Sequence, residues 1–294
     1  MEKEHYGAVI QLVKAALEED IRRGDVTSLA CLEPGPIKCR ITAKSDGILS
    51  GAEPALIAFD IVDSANVVRP LKKDSEPFAA GDIIFEIDGF NQTVLTAERT
   101  ALNFLAHLSG VATLTGRFVA KVAGTSCKIL DTRKTTPGWR YLEKAAVVHG
   151  GGLNHRYGLY DMVLIKDNHI ASAGSISKAV ERTLSFLDTP EFRLQFEKKA
   201  HEIEIEVEVT GEDEVREAIA AGVKRLLLDN QSISSLNKLV SLARGIDPSV
   251  KLEASGNATL ETVAEIAATG VDFISVGAIT HSAKASDFSL TVIE

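Results

Sequence analysis

From residue 127 onward the chain repeats one rhythm: a short apolar run, a polar or glycine-bearing break, then an amphipathic stretch. The runs are CKILD (127–131), DMVLIKD (161–167), IEIEVEVT (203–210), RLLLDN (225–230), KLEASG (251–256) and FISVGA (273–278). Segments such as EDEVREAIAAG (212–222) and TLETVAEIAATG (259–270) place their apolar residues at helical spacing. Strands that alternate with helices join as parallel neighbours, so the expectation is a parallel sheet, open or closed into a barrel. Before residue 110 the pattern differs. An opening helix over 5–20 is followed by IKCRITA (37–43), GILSG (47–51), NVVRPL (66–71) and DIIFEIDG (82–89), short alternating segments with turn residues between them. These predict an antiparallel sheet. Residues 97–124 read as two helices broken near Gly110. The chain of 294 residues therefore divides into domains at 1–110 and 111–279, with 280–294 free to pack back on the first.

Composition excludes some classes. A net charge of −9 lacks the basic face of a general nucleic-acid binder. No apolar run approaches the roughly 20 residues needed to span a membrane. The opening MEKEHYGAVIQLVKAALEED is acidic and amphipathic, with no basic stretch ahead of an apolar core, so no secretory signal is expected. Three cysteines without a CxxC pair fit reduced thiols and a cytoplasmic protein.

The charge is unevenly spread. Between Asp131 and His169 there are six Lys or Arg against four Asp or Glu, and DTRKTTPGWR (131–140) directly follows an apolar run. A charge run is usually a solvated face. Here glycines punctuate the cations and strands flank them, which suits an anion pocket better. In a βα barrel ligands are handled where strands end. The ends expected here carry Arg133 and Lys134, then Lys166 and Asp167, then Glu208, Asp229, Ser255, Gly256 and Gly277. In IEIEVEV the alternation puts Ile203, Ile205, Val207 and Val209 on one face and Glu204, Glu206 and Glu208 on the other. With the apolar face against helices, the glutamates enter the barrel, with Glu208 nearest the rim. Cations, a metal or water must meet them there. For Glu204 and Glu206 the competing reading is a structural network with lumen lysines. GGGLNHR (150–156), EASGNAT (253–259) and SVGAITHS (275–282) supply flexible backbone where free N–H groups bind phosphate. His149, His155 and His169 lack compact metal-ligand spacing. His107 and His281 read as hydrogen-bonded structural residues, and Lys144 as a solvated helix charge.

LTAERTALNFLAHLSGVATLT, ILDTRKTTPGWRYLEK, GGGLNHRYGLYDMVLIKDNHI, LLLDN, EASGN and ISVGAITHSA together resemble the quinolinate phosphoribosyltransferases, the carboxylating nicotinate-nucleotide pyrophosphorylases. The resemblance runs from GDVTS (24–28) almost to the C-terminus. It implies an N-terminal α/β sandwich domain, an incomplete parallel α/β barrel of fewer than eight strands, and a homodimer or higher oligomer. The implied reaction joins quinolinate to phosphoribosyl pyrophosphate with Mg²⁺, giving nicotinate mononucleotide, pyrophosphate and carbon dioxide in NAD biosynthesis. By matched position, Arg99, Arg133, His155, Arg156 and Lys166 are expected to face the quinolinate carboxylates. Lys134, Lys166, Glu208, Asp229, Ser255, Gly256 and Gly277 are expected to hold the phosphoribosyl donor and its metal, and Thr135, Asn257 and Ala278 are further substrate-binding candidates. Of these Lys134, Lys166, Glu208 and Asp229 are the catalytic candidates, and Glu208 and Asp229 the metal ligands. SGNA stands where SGGI is usual, and Tyr157 where methionine is common. Two other enzymes and a binding module compete with this reading. One enzyme is a paralogue associated with molybdate transport that takes another acceptor. The other is a class I aldolase with Lys166 as its Schiff base. A non-enzymatic anion-binding module explains the lumen carboxylates least well.

Overall fold

A computed structural model describes residues 3–293, with side chains from Tyr6 onward. The chain forms two compact units. One holds the residues up to Arg117, Lys134–Gly152 and the residues from Ala278; the other holds Phe118–Arg133 and Leu153–Gly277. The division is thus not a single cut at 110, and the helix Asn91–Lys121 runs unbroken through that position. The two helices expected there are one. A glycine inside a helix costs only about 1 kcal/mol relative to alanine, which buried contacts along the helix outweigh. Gly110 is small for another reason: a Cβ there would stand 2.3 Å from the Lys284 carbonyl oxygen.

In the first unit, β1 (Pro36–Ala43), β3 (Val67–Pro70) and β5 (Ile83–Phe90) form an antiparallel sheet with the last strand of the chain, Phe288–Val292, in the order last–β1–β5–β3. Two short strands, β2 (Gly47–Ile48) and β4 (Pro77–Phe78), pair separately. Strand alternation is visible in β1, where Cys39, Ile41 and Ala43 are buried while Arg40 pairs with Glu86 across the strands at 3.0 Å. The opening helix Lys3–Ile21 buries Val9, Val13 and Leu17, one side chain per turn, and packs on the helix Ala52–Val62. The helix Arg140–His149 is covered on more than one side: Leu142, Glu143, Lys144, Ala146 and Val147 are all buried. Lys144 is fully buried, against the expectation of a solvated charge. Its neighbours at i+2 and i+3 are buried too, so the helix has no wide polar face there.

The second unit is built on six parallel strands: β6 (Lys128–Leu130), β7 (Val163–Ile165), β8 (Ile205–Val209), β9 (Arg225–Asp229), β10 (Lys251–Ser255) and β11 (Phe273–Ser275). The sheet runs β6–β11–β10–β9–β8–β7. Chain-order neighbours pair from β7 to β11, and β11 then takes the first strand, β6, on its other side. That circular order is a barrel's, left open at one seam between β6 and β7. Beside the seam, Leu153 pairs with Leu130 and donates its N–H to the Ile129 carbonyl at 2.9 Å, so the segment after residue 152 enters along β6. Val207, Val209, Leu226, Leu228, Leu252, Ala254 and Ile274 are buried, and the pleat sends the intervening residues of these strands to the opposite face, the interior of the ring. Among the described residues no helix is long and apolar enough to cross a membrane.

Candidate active site

Registers within the second unit sort the inward-facing side chains. Glu206 lies opposite Arg225, Glu208 opposite Leu227, and Asp229 opposite Ser255. The even-numbered glutamates of β8 therefore do face inward, and each meets a cation. Arg225, the first residue of β9 and 8% exposed, donates through Nε to Glu206 at 3.2 Å, through Nη1 to Glu204 at 2.8 Å and through Nη2 to Glu253 at 2.5 Å. Its guanidinium also stacks 4.7 Å from the centre of the Phe273 ring. The network for Glu204 and Glu206 is thus structural, with arginine in place of the expected lysines. A planar fork with five donors can bridge three carboxylates, which a single ammonium does less well.

Burial alone would weaken Arg225's hold on its proton, but Glu206 and Glu253 outweigh that and strengthen it. Burial raises the Glu206 carboxyl despite the arginine beside it. Burial, then repulsion from Glu206, pushes Glu253 up to about 7. The Ser275 hydroxyl donates to Glu253. Nε2 of His155 lies 3.0 Å from Glu206 and 3.5 Å from Glu253. His155, Glu206 and Glu253 are the one group among the described residues compact enough to hold a metal ion. Arg225 already supplies the positive charge there, so the chemistry favours a closed ion-pair cluster.

The sequence-derived candidates stand further along the same strands. Lys166, just after β7, is ion-paired with Glu208 of β8. Its N–H is capped by Nδ1 of His169 at 2.9 Å, which accounts for that histidine. Asp229, the last residue of β9, accepts from the Ser255 hydroxyl and from Nδ2 of Asn230 at 2.7 Å. Gly256, with φ +88°, leaves room for Asn230: a Cβ would fall 2.1 Å from its Oδ1. Asn257 has φ 51°. Asparagine tolerates this left-handed conformation better than most residues, a local reason for asparagine at that position. Arg156 donates to the Met162 carbonyl at 3.3 Å. Burial lowers its proton affinity, and repulsion from Arg133 lowers it further. The Asp161 and Glu206 carboxylates offset part of that repulsion. Gly277 ends the unit.

The remaining candidates belong to the first unit, where the loop after residue 133 is tied down at several points. Thr280 donates to the Lys134 carbonyl at 2.8 Å, Arg140 Nε to the Thr135 hydroxyl at 3.1 Å, and the Thr136 N–H to Glu143 at 3.0 Å. Trp139 stacks on Phe104 at 4.7 Å with His107 edge-on, and His107 Nε2 lies 2.7 Å from Glu143. His107 is structural, as expected, and His281 bonds Ser282 at 2.6 Å. Lys134 is exposed and Thr135 half-buried. Arg99 is exposed on the long helix beside Glu98, whose carboxyl burial raises and Arg99 lowers. Ala278 opens the four-residue helix Ala278–His281.

Sequence reasoning missed Arg225, Glu253, Glu143 and Asp131. Asp131 is fully buried and accepts the His155 N–H at 2.8 Å. The signal was present for two of them: Arg225 and Glu253 share the inward phase of their strands with Asp229 and Ser255.

A ring of parallel strands with clustered guanidinium groups, a lysine and carboxylates near the strand C-termini defines an α/β-barrel enzyme suited to anionic substrates. The family described as quinolinate phosphoribosyl transferase matches this chain twice, its N-terminal domain over residues 25–109 and its C-terminal domain over 111–291. Nicotinate-nucleotide pyrophosphorylase (carboxylating) of Mycobacterium leprae (strain TN) is 37% identical over 289 residues, 97% of each chain. Quinolinate phosphoribosyltransferase (decarboxylating) 1 of Nicotiana glauca is 37% identical over 294 residues, 96% of this chain and 81% of that one. The solved structure of the nicotinate-nucleotide pyrophosphorylase from Francisella tularensis superimposes with a TM-score of 0.88 at 42% identity, covering 98% of this chain and 96% of that one. The chain belongs to the quinolinate phosphoribosyltransferase family.

Proposed function

We propose that this protein transfers the phosphoribosyl group of phosphoribosyl pyrophosphate to quinolinate and releases carbon dioxide, giving nicotinate mononucleotide and pyrophosphate in NAD biosynthesis. Family membership supports the reaction. The observation that carries it at the site is the set of polar side chains at the strand ends of one unit, where Lys166 pairs with Glu208 and the Ser255 hydroxyl donates to Asp229. Quinolinate brings two adjacent carboxylates, and planar guanidinium groups bind carboxylates through both oxygens. Arg133, Arg156 and Lys166 are proposed for quinolinate, with His155 beside them and Arg99 supplied by a neighbouring subunit of a homodimer. Lys134, Thr135, Ser255, Gly256, Asn257, Gly277 and Ala278 are proposed for the donor.

Glu208 and Asp229 offer hard oxygen ligands on adjacent strands, near the proposed phosphate-binding residues. Two carboxylates fit Mg²⁺, which keeps several waters and takes its other ligands from substrate phosphates; when bound it would neutralise charge on the departing pyrophosphate. As the ribose C1′ loses pyrophosphate it gains positive charge, which the Glu208 and Asp229 carboxylates stabilise. Lys166, already paired with Glu208, fixes the direction of that carboxylate while facing an anionic ring substituent. Decarboxylation uses the pyridinium nitrogen of the quinolinate nucleotide intermediate as its electron sink: the bond to the carboxyl breaks, the electron pair stays on the adjacent ring carbon, and a proton from water takes the place of the carbon dioxide. The proposed compartment is the cytoplasm.

Incubating the purified protein with quinolinate, phosphoribosyl pyrophosphate and Mg²⁺ tests the proposal. Nicotinate mononucleotide and carbon dioxide should appear in equal amounts. Product from nicotinate and none from quinolinate would overturn it.

A further inference from the structure

Arg225 has no place in the chemistry above, yet it donates to three carboxylates. It sits at the start of β9 and joins Glu204, just before β8, and Glu206 of β8 to Glu253 of β10. Three carboxylates around one guanidinium are more than neutralisation requires. What the surplus does is visible on their other oxygens. Glu206 uses one oxygen for Arg225 and turns the other, Oε2, to Nε2 of His155 at 3.0 Å. Glu253 likewise divides its oxygens, one to Arg225 and one 3.5 Å from the same nitrogen.

The ring of His155 is thereby fixed at both ends. Its Nδ1 lies 2.7 Å from the backbone N–H of Arg156. A backbone N–H can only donate, so Nδ1 is the acceptor and the ring proton of the neutral imidazole is on Nε2, donated to Glu206. The His155 N–H is held by Asp131 at 2.8 Å. The peptide that carries Arg156 is therefore anchored to an imidazole, the imidazole to Glu206, and Glu206 to Arg225.

We infer that Arg225 is a positioning residue for the quinolinate site: by orienting Glu206 and Glu253 it holds His155 as the Nε2–H tautomer, and through it the backbone of Arg156. This rests on the proposed role of Arg156 in binding quinolinate. Small displacements of a positioned group are enough to matter, since about 1 Å of misplacement can cost on the order of a hundredfold. The chain of contacts reaches the acceptor side of the site and none of the donor residues named above.

Arg225→Met keeps an unbranched apolar stem and removes the five donors, while Arg225→Lys restores one charge. Ring ¹⁵N spectra of histidine-labelled protein, with His155 assigned by comparison with His155→Asn, report the tautomer without any substrate. Wild type should show the proton on Nε2; Arg225→Met should lose that signature and Arg225→Lys recover part of it. In turnover, KM for quinolinate should rise on the order of tenfold in Arg225→Met, with KM for phosphoribosyl pyrophosphate unchanged. Should Arg225→Met fail to fold, Glu206→Gln serves instead. Its amide oxygen will accept from Arg225, which turns the amide NH₂ toward Nε2–H and forces the ring out of that tautomer. A folded variant that keeps the Nε2–H signal, or shows an unchanged quinolinate KM beside a lost signal, overturns the inference. A wild-type protein inactive on quinolinate would overturn the proposed reaction instead, and the tautomer spectra would still decide the link from Arg225 to His155.

Discussion

Replacing Glu253 by glutamine should make the protein more stable at alkaline pH. Glu253 is fully buried and shares its surroundings with Glu206 and a single arginine, so burial and repulsion push its carboxyl from 4.5 to about 7. Between those values the folded protein holds a proton that the unfolded chain has lost. Its contribution is therefore present in full below pH 4.5, declines as pH rises through the window, and is gone above about 7. At about 1.4 kcal/mol per pH unit, the ionised group leaves the fold about 3 kcal/mol less stable above pH 7 than at pH 4.5. Glutamine cannot ionise. Its amide oxygen still accepts from Arg225, and its NH₂ takes the place of the oxygen that faces Ser275, whose hydroxyl can turn to accept. Chemical denaturation of both proteins from pH 5 to pH 8.5 reads the difference directly. The stability of Glu253→Gln relative to wild type should climb through the window, by up to about 3 kcal/mol. Asp74, which burial also raises, is common to both and cancels. A difference that is flat with pH, or that falls as pH rises, refutes the account of this cluster.

Nicotinate should be a poor substrate, since one missing carboxylate leaves a half-buried cation without that partner at about 1–3 kcal/mol; equal kcat/KM for the two acids would contradict this. Asp229→Ala should cut turnover while calorimetry without the donor finds quinolinate binding unchanged, and lost quinolinate binding in the folded variant would reassign Asp229. Mixing inactive Arg99→Ala with inactive Lys166→Ala and allowing subunits to exchange should restore about a quarter of wild-type activity, because half the dimers are mixed and each then has one intact site. No recovery after demonstrated exchange would place Arg99 in its own subunit's site. Gly110→Ala should lower stability by about 1–3 kcal/mol from overpacking against the Lys284 carbonyl, rather than raise it by the gain in helix propensity; a stabilised variant would show that the helix and that loop separate freely.

Periodicity alone was enough to locate every strand of the parallel sheet, because each short apolar run between polar breaks has one economical use in a chain that alternates with helices. The same pattern placed Lys166, Glu208, Asp229 and Ser255 near strand ends, where the structure puts them. Alternation in IEIEVEV also sent Glu204, Glu206 and Glu208 inward, since side-chain direction along a strand is a local property of the backbone. What met those carboxylates was not local. Arg225 lies 19 residues from Glu206 and 28 from Glu253, and only the parallel registers of β8, β9 and β10 bring the three together. The same holds for Lys144, which looks solvated in its own helix and is buried by its neighbours. Gly110 likewise reads as a helix breaker until the backbone of Lys284 is seen against it. Local sequence determines which way a residue points; which partner it finds there is decided by chain segments far away, because the free energy of a buried charge or a close backbone approach depends on whatever fills the facing space.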